Sequence, residues 1–97
     1  MYAIAVTSQI MIDKIDEAAS IFRESVVPAY KQLSGFKSAL LLIDPATGKG
    51  VGISLWESEA DRAAVQTSGA LQQQLAKFAA VLTAPPVPNT YEVKVQA

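Results

Sequence analysis

Ala39-Leu40-Leu41-Leu42-Ile43 is an unbroken apolar run, bracketed by turn-forming residues at Ser34-Gly35 and at Asp44-Pro45-Ala46-Thr47-Gly48-Lys49-Gly50. A run this short between such signals reads as a strand over Phe36 to Asp44. It is apolar on both faces, which constrains the fold more than any other feature. The turn after it closes a hairpin. Val51 to Trp56 then supplies a second strand, with Val51, Ile53 and Leu55 on one face and Gly52, Ser54 and Trp56 on the other. The chain's own helices can cover only one side of such a sheet. With 97 residues, 51% of them hydrophobic, little chain remains for the other side, and small domains bury a smaller fraction of their surface. The simplest cover is a second copy, so the expected assembly is a homodimer joined through the sheet face.

The remaining segments complete a pattern. Tyr2, Ile4 and Val6 alternate with Ala3, Ala5 and Thr7, the period of a strand running from Tyr2 to Ser8. Asp13 reads as an N-cap, with Asp16 and Glu17 in the first turn where the helix dipole favours anions. Ile15, Ala18, Ala19, Phe22, Val26, Ala29, Tyr30 and Leu33 follow as a helical stripe. Pro28 lies inside that stripe. Proline removes one donor and disfavours the α conformation at Val27, so a kink or a break and restart is predicted. Gly35 suits the left-handed position after the helix, with Phe36 folding back on Tyr30. Ser58-Glu59-Ala60-Asp61 is a capping box with Asp in its fourth slot. The helix it opens is interrupted near Thr67-Ser68-Gly69. It resumes through Leu71, Leu75, Phe78 and Leu82, until Ala84-Pro85-Pro86-Val87-Pro88 stops it. Tyr91, Val93 and Val95 alternate with Glu92, Lys94 and Gln96 as a last strand with one wet face. The order β-α-β-β-α-β predicts an α+β, ferredoxin-like single domain over residues 1–97, with both helices on one face of a four-stranded antiparallel sheet.

Composition excludes several functions. Net charge is −1 with no cluster of Lys or Arg, so nucleic acid has no electrostatic handle. The absence of cysteine removes disulfide and thiol chemistry, and the absence of histidine removes the commonest general base and metal ligand. No apolar run is long enough to span a bilayer, and Tyr2 to Val6 is too short for a signal sequence. A cytoplasmic protein without membrane partners is expected. Asp13, Asp16 and Glu17 are explained by helix-terminus chemistry, so no metal site is expected. Gly48-Lys49-Gly50 lacks the fuller phosphate-loop pattern.

Leu33-Ser34-Gly35-Phe36 at the helix-to-strand corner and Leu55-Trp56-Glu57-Ser58-Glu59-Ala60-Asp61 at the strand-to-helix corner resemble the antibiotic biosynthesis monooxygenase family of the dimeric α+β barrel superfamily. Segment lengths between the corners also fit, and the match spans the chain. The resemblance implies a homodimer with a pocket between helices and sheet in each subunit. It also implies a cofactor-independent monooxygenase acting on a small aromatic, quinol-like compound. The alternative is a non-catalytic member of the same fold that binds a small apolar ligand or serves a structural role. Haem-degrading relatives use an Asn, a Trp and a His at positions that align with Thr7, Val65 and Leu75. This chain has no His, so that branch is rejected and no cofactor is expected.

Within the implied pocket, the small set Ala3, Ala5, Thr7, Gly52 and Ser54 is expected to leave room for a ligand. Tyr30, Phe22, Phe36, Phe78 and Trp56 are expected to supply its walls. Trp56 is a candidate for stacking on an aromatic ligand, or else a core residue whose indole needs a partner. Tyr30 is a candidate for orienting a substrate oxygen, or else the amphipathic edge of its helix. Arg62 is a candidate partner for an anionic substrate oxygen, or else a solvated residue paired with Glu59 or Asp61. Thr7 and Ser54 are candidate donors to a ligand carbonyl, or else strand hydroxyls satisfied by backbone. No catalytic residue is identified, because no acid–base pair converges in the sequence.

Overall fold

The alternating segment at the N-terminus becomes β1 (Tyr2–Gln9) in the computed structural model, which describes residues 1–97. The apolar run becomes β2 (Phe36–Ile43), and the hairpin returns as β3 (Lys49–Trp56). A last strand, β4 (Val87–Glu92), completes an antiparallel sheet in the order β2-β3-β1-β4. Ile4 pairs with Ser54, Val6 with Gly52, and Ser8 with Gly50. These residues share the face toward the helices. Ala3 pairs with Leu55, Ala5 with Ile53, and Thr7 with Val51 on the opposite face. The expectation that Ala3, Ala5 and Thr7 line the pocket is therefore corrected. Side-chain bulk decides the orientation, because Ile4 contributes far more buried apolar area to the core than an alanine does.

The first helical region is continuous. A short 3₁₀ turn (Ile12–Lys14) leads into α1 (Ile15–Ile21), a π-helical segment (Phe22–Val26) and α2 (Val27–Lys31). Asp13 sits inside the 3₁₀ turn, and Met11 holds the cap position without a side-chain bond, so Asp13 is not the N-cap. Pro28 causes no break. Val27 keeps helical angles (φ −62°, ψ −49°), and its N–H bonds to the carbonyl of Phe22, five residues back. The wider π turn just before the proline relieves the clash that a regular α turn would suffer.

The two corner motifs meet in space. Gly35 adopts φ 80°, and a Cβ there would lie 2.1 Å from a carboxylate oxygen of Asp61. Asp61 belongs to α3 (Glu59–Thr67), capped by Ser58, whose Oγ accepts from the Asp61 N–H at 3.1 Å and donates to the Asp61 carboxylate at 2.8 Å. The Glu57 N–H donates to the Gly35 carbonyl at 2.8 Å. Phe36 pairs with Trp56 across the strands and meets its ring edge-on, so the aromatic partner is Trp56 where the sequence suggests Tyr30.

Gly69 ends α3, and α4 (Ala70–Ala76) follows. Residues 77–81 then turn through i→i−3 bonds instead of continuing the helix to Leu82. Leu82 bridges Ile10, which closes a second small core with Ala18 and Val81. β4 begins earlier than the alternation suggests and stops at Glu92, leaving Val95 outside the sheet and solvent-exposed. Pro88 is accommodated because β4 is an edge strand. On the sheet face away from the helices, Leu40, Leu42, Val87 and Tyr91 are 46–56% exposed. No helix is long and apolar enough to cross a membrane.

Candidate functional site

Between sheet and helices the side chains leave a chamber of about 60 Å³. Its floor is Ile4, Val6, Gly52 and Ser54 of the two central strands. Its roof comes from Phe22 and Val26 on the π segment, Tyr30 on α2, and Leu71, Gln74 and Leu75 on α4, with Phe78 just beyond. Most of the lining is apolar, and no Asp, Glu, Lys or Arg contributes to it. An engineered cavity of about 150 Å³ holds one benzene, so the chamber alone is smaller than a single aromatic ring requires. Outside it lies an open hollow of about 490 Å³ between α4 and Pro85-Pro86. Leu75, Leu82 and Pro86 line both spaces.

The polar groups of the chamber are neutral. Trp56 Nε1 donates to Ser54 Oγ at 2.9 Å, which leaves the Ser54 hydroxyl hydrogen free for another acceptor. A hydroxyl already accepting a bond is a stronger donor, since chained hydrogen bonds polarise one another. Gln74 Oε1 accepts from Ser25 Oγ at 2.8 Å, and its two amide hydrogens have no partner in the chain. Tyr30 is buried to 4% exposure, and its hydroxyl makes no hydrogen bond within the chain. Burial pushes the Tyr30 phenol up to about 12. It is therefore a hydrogen-bond donor at neutral pH and not a base.

The structure brings Tyr30, Ser54, Phe22 and Phe78 to this chamber and keeps Trp56, Thr7 and Arg62 away from its lining. Trp56 is fully buried behind Ser54, packed edge-on between Tyr30 and Phe36 with ring centroids 5.5 Å away on each side. It lies at neither the cavity wall nor the exposed sheet face, and it meets the chamber through Ser54, to which it donates, and through Tyr30, against which it packs. Thr7 lies exposed on the opposite side of the sheet. Arg62 stacks over the Tyr2 ring at 5.3 Å and donates to the Tyr91 carbonyl at 3.3 Å. It forms no ion pair with Glu59 or Asp61. Gln74 was missed by reading the sequence, yet a signal was present. It stands three residues after Leu71 and four before Phe78, on the buried side of the stripe, whereas Gln72 and Gln73 face solvent. No group of three or more acidic, His or Cys side chains converges to hold a metal.

No protein-family model matches the sequence, and no curated protein matches it. Solved structures do match its shape. A Nitrosomonas europaea protein of unknown function is 20% identical, with TM-score 0.77 over 99% of this chain and 91% of its own. The monooxygenase ActVA-Orf6 of Streptomyces coelicolor, solved with nanaomycin D, is 19% identical, with TM-score 0.73 over 99% of this chain and 89% of its own. A variant of SnoaB, a cofactor-independent oxygenase from Streptomyces nogalater, is 12% identical, with TM-score 0.76 over 98% of this chain and 94% of its own. At these identities the likeness is one of fold. The chain has the ferredoxin-like fold of the antibiotic biosynthesis monooxygenases.

Proposed function

We propose that this chain, carrying that fold over residues 1–97 as one functional unit, is a cofactor-independent monooxygenase acting on a small aromatic, quinol-like compound as a homodimer. The observation that carries the reading is the chamber itself, apolar and aromatic on most sides, with unpaired neutral donors from Tyr30, Ser54 and Gln74. Such a site suits a flat neutral ring bearing a phenolic or carbonyl oxygen. The ring enters past Leu75, Leu82 and Pro86, which line both spaces, with part of it remaining in the outer hollow. The reaction balances without an external reductant. An activated ring CH₂ and O₂ yield a ring C=O and water, with the substrate supplying the electrons. The lining holds no base, so the substrate gives its acidic proton to solvent as it enters. The protein's part is to shield the reacting CH₂ carbon from water and to stabilise the resulting oxyanion by hydrogen bonds from Tyr30 and Ser54. The homodimer is supported by the apolar outer sheet face, where Leu40, Leu42, Val87 and Tyr91 lie uncovered.

The test is oxygen uptake by purified protein given reduced quinols and anthrones. Turnover is expected, and Tyr30→Phe and Trp56→Phe should each lower it, the second by leaving the Ser54 hydroxyl without its donor. One observation favours a second reading, that of a non-catalytic binder of small apolar ligands. No ionisable side chain in the chamber titrates near neutrality to take a proton from the substrate. Thermal stabilisation by phenols with no oxygen consumption from any quinol or anthrone would select that reading.

A further inference from the structure

We infer that Gly52 is the specificity-determining residue of the chamber, kept free of a side chain so that a ligand ring can reach the sheet. The inference rests on the reading that this chamber is the ligand site.

Glycine in the middle of a strand needs a reason, because it weakens the strand and packs nothing. The usual reasons are a left-handed backbone or a neighbour too close to admit a Cβ. Gly50, two residues earlier on the same face, has the second. A Cβ there would lie 2.8 Å from Ile10 Cδ1 and 3.2 Å from Ser8 Oγ. Gly52 has neither. Its φ is not positive, and a Cβ on it would meet only Phe22 Cε2 at 3.5 Å and Leu41 Cδ1 at 4.0 Å, both ordinary contacts. The backbone would accept alanine. What alanine would remove is space, since Gly52, Phe22 and Leu41 all line the chamber. A methyl there would stand in the chamber between Phe22 and Leu41 and narrow a space of only about 60 Å³.

The experiment compares the wild type with Gly52→Ala and Gly52→Val by three readouts. These are unfolding in urea without ligand, xenon uptake followed by NMR, and phenol affinity from thermal shift. For Gly52→Ala the expected results are an unfolding midpoint no lower than wild type, loss of the xenon signal, and phenol binding weakened at least about tenfold, as a misplaced methyl does in an apolar pocket. Gly52→Val should bind neither probe. Xenon uptake and phenol affinity unchanged in Gly52→Ala would overturn the assignment. A midpoint well below wild type would also overturn it, by showing that Gly52 serves packing. Xenon bound by wild type and lost in Gly52→Ala, with no phenol bound by either, would keep the role of Gly52 in the chamber and sink the reading of the site. A wild type that takes up neither probe would overturn both.

Discussion

The hydroxyl of Tyr30 has no partner in the chain, and its ring is walled in by Trp56 and the helix, so ionising it means placing a charge in an apolar space. The folded state holds the phenolic proton up to about pH 12, whereas the ordinary value is 10.0. Between those limits the unfolded chain releases this proton and the folded chain does not. Stability from this group is therefore complete below pH 10 and is lost as pH rises toward 12, by ~2–3 kcal/mol across the window. Urea unfolding at stepped pH should show a smaller loss in Tyr30→Phe than in wild type. Ser54 gives a second expectation. Replacing it with alanine strands the indole N–H of a fully buried Trp56, and an unsatisfied buried donor costs ~1–3 kcal/mol. The same measurement at neutral pH reads that loss. At this scale the sequence told which residues were amphipathic but not what they touched. Trp56 stood out as the lone tryptophan, yet its indole is occupied by a serine two residues away on the same strand face.

Elements were legible where the signals are local. Ser58 with Asp61, and Gly35 after the first helix, each declare a chain reversal through nearby backbone groups. What the sequence does not carry is that the two corners abut. Gly35→Ala is expected to lose ~1–3 kcal/mol, from the left-handed backbone and from collision with the Asp61 carboxylate. Adding Asp61→Ala in the same chain should recover the collision part only, which a double-mutant cycle in urea measures. Two elements were misread for physical reasons. Phe78 and Leu82 keep helical spacing, but spacing reports which side chains are buried and not whether the i→i−4 ladder continues. Pro28 predicts a kink or a break and restart, and the five-residue π turn lets the helical region run through it without a break. That turn also carries Phe22 and Val26 to the chamber and Ser25 to Gln74.

The order of strands and helices, and the doubly apolar sheet, were visible in the alternation patterns. The facing of β1 was not, because a period of two separates the faces without saying which meets the helices. Bulk settles it in favour of Ile4 and Val6. The outer face yields a prediction for the whole molecule. Leu41 lines the chamber, while its neighbour Leu42 is 52% exposed on the other side. Leu42→Lys should keep the fold and convert a sedimenting dimer to monomer at low micromolar concentration. Leu41→Lys should impair folding itself. A wild type that sediments as a monomer would remove the assembly from the proposal. The two ends of the molecule yield unequally. The Gly35–Asp61 junction fastens the first helical region to the sheet and to α3, so that end is a clamp. At the opposite rim, residues 77–80 carry only single-turn bonds and Pro85 and Pro86 lack amide donors, while Val81 and Thr83 are tied to Met11 and Gln9 by backbone bonds of 2.9 Å. Of the two ends, the rim opens first, and amide exchange should run faster over residues 77–80 than around Trp56. Under the function proposed above, a guest larger than the resting void would enter where this rim opens, with the aromatic nest around Trp56 undisturbed.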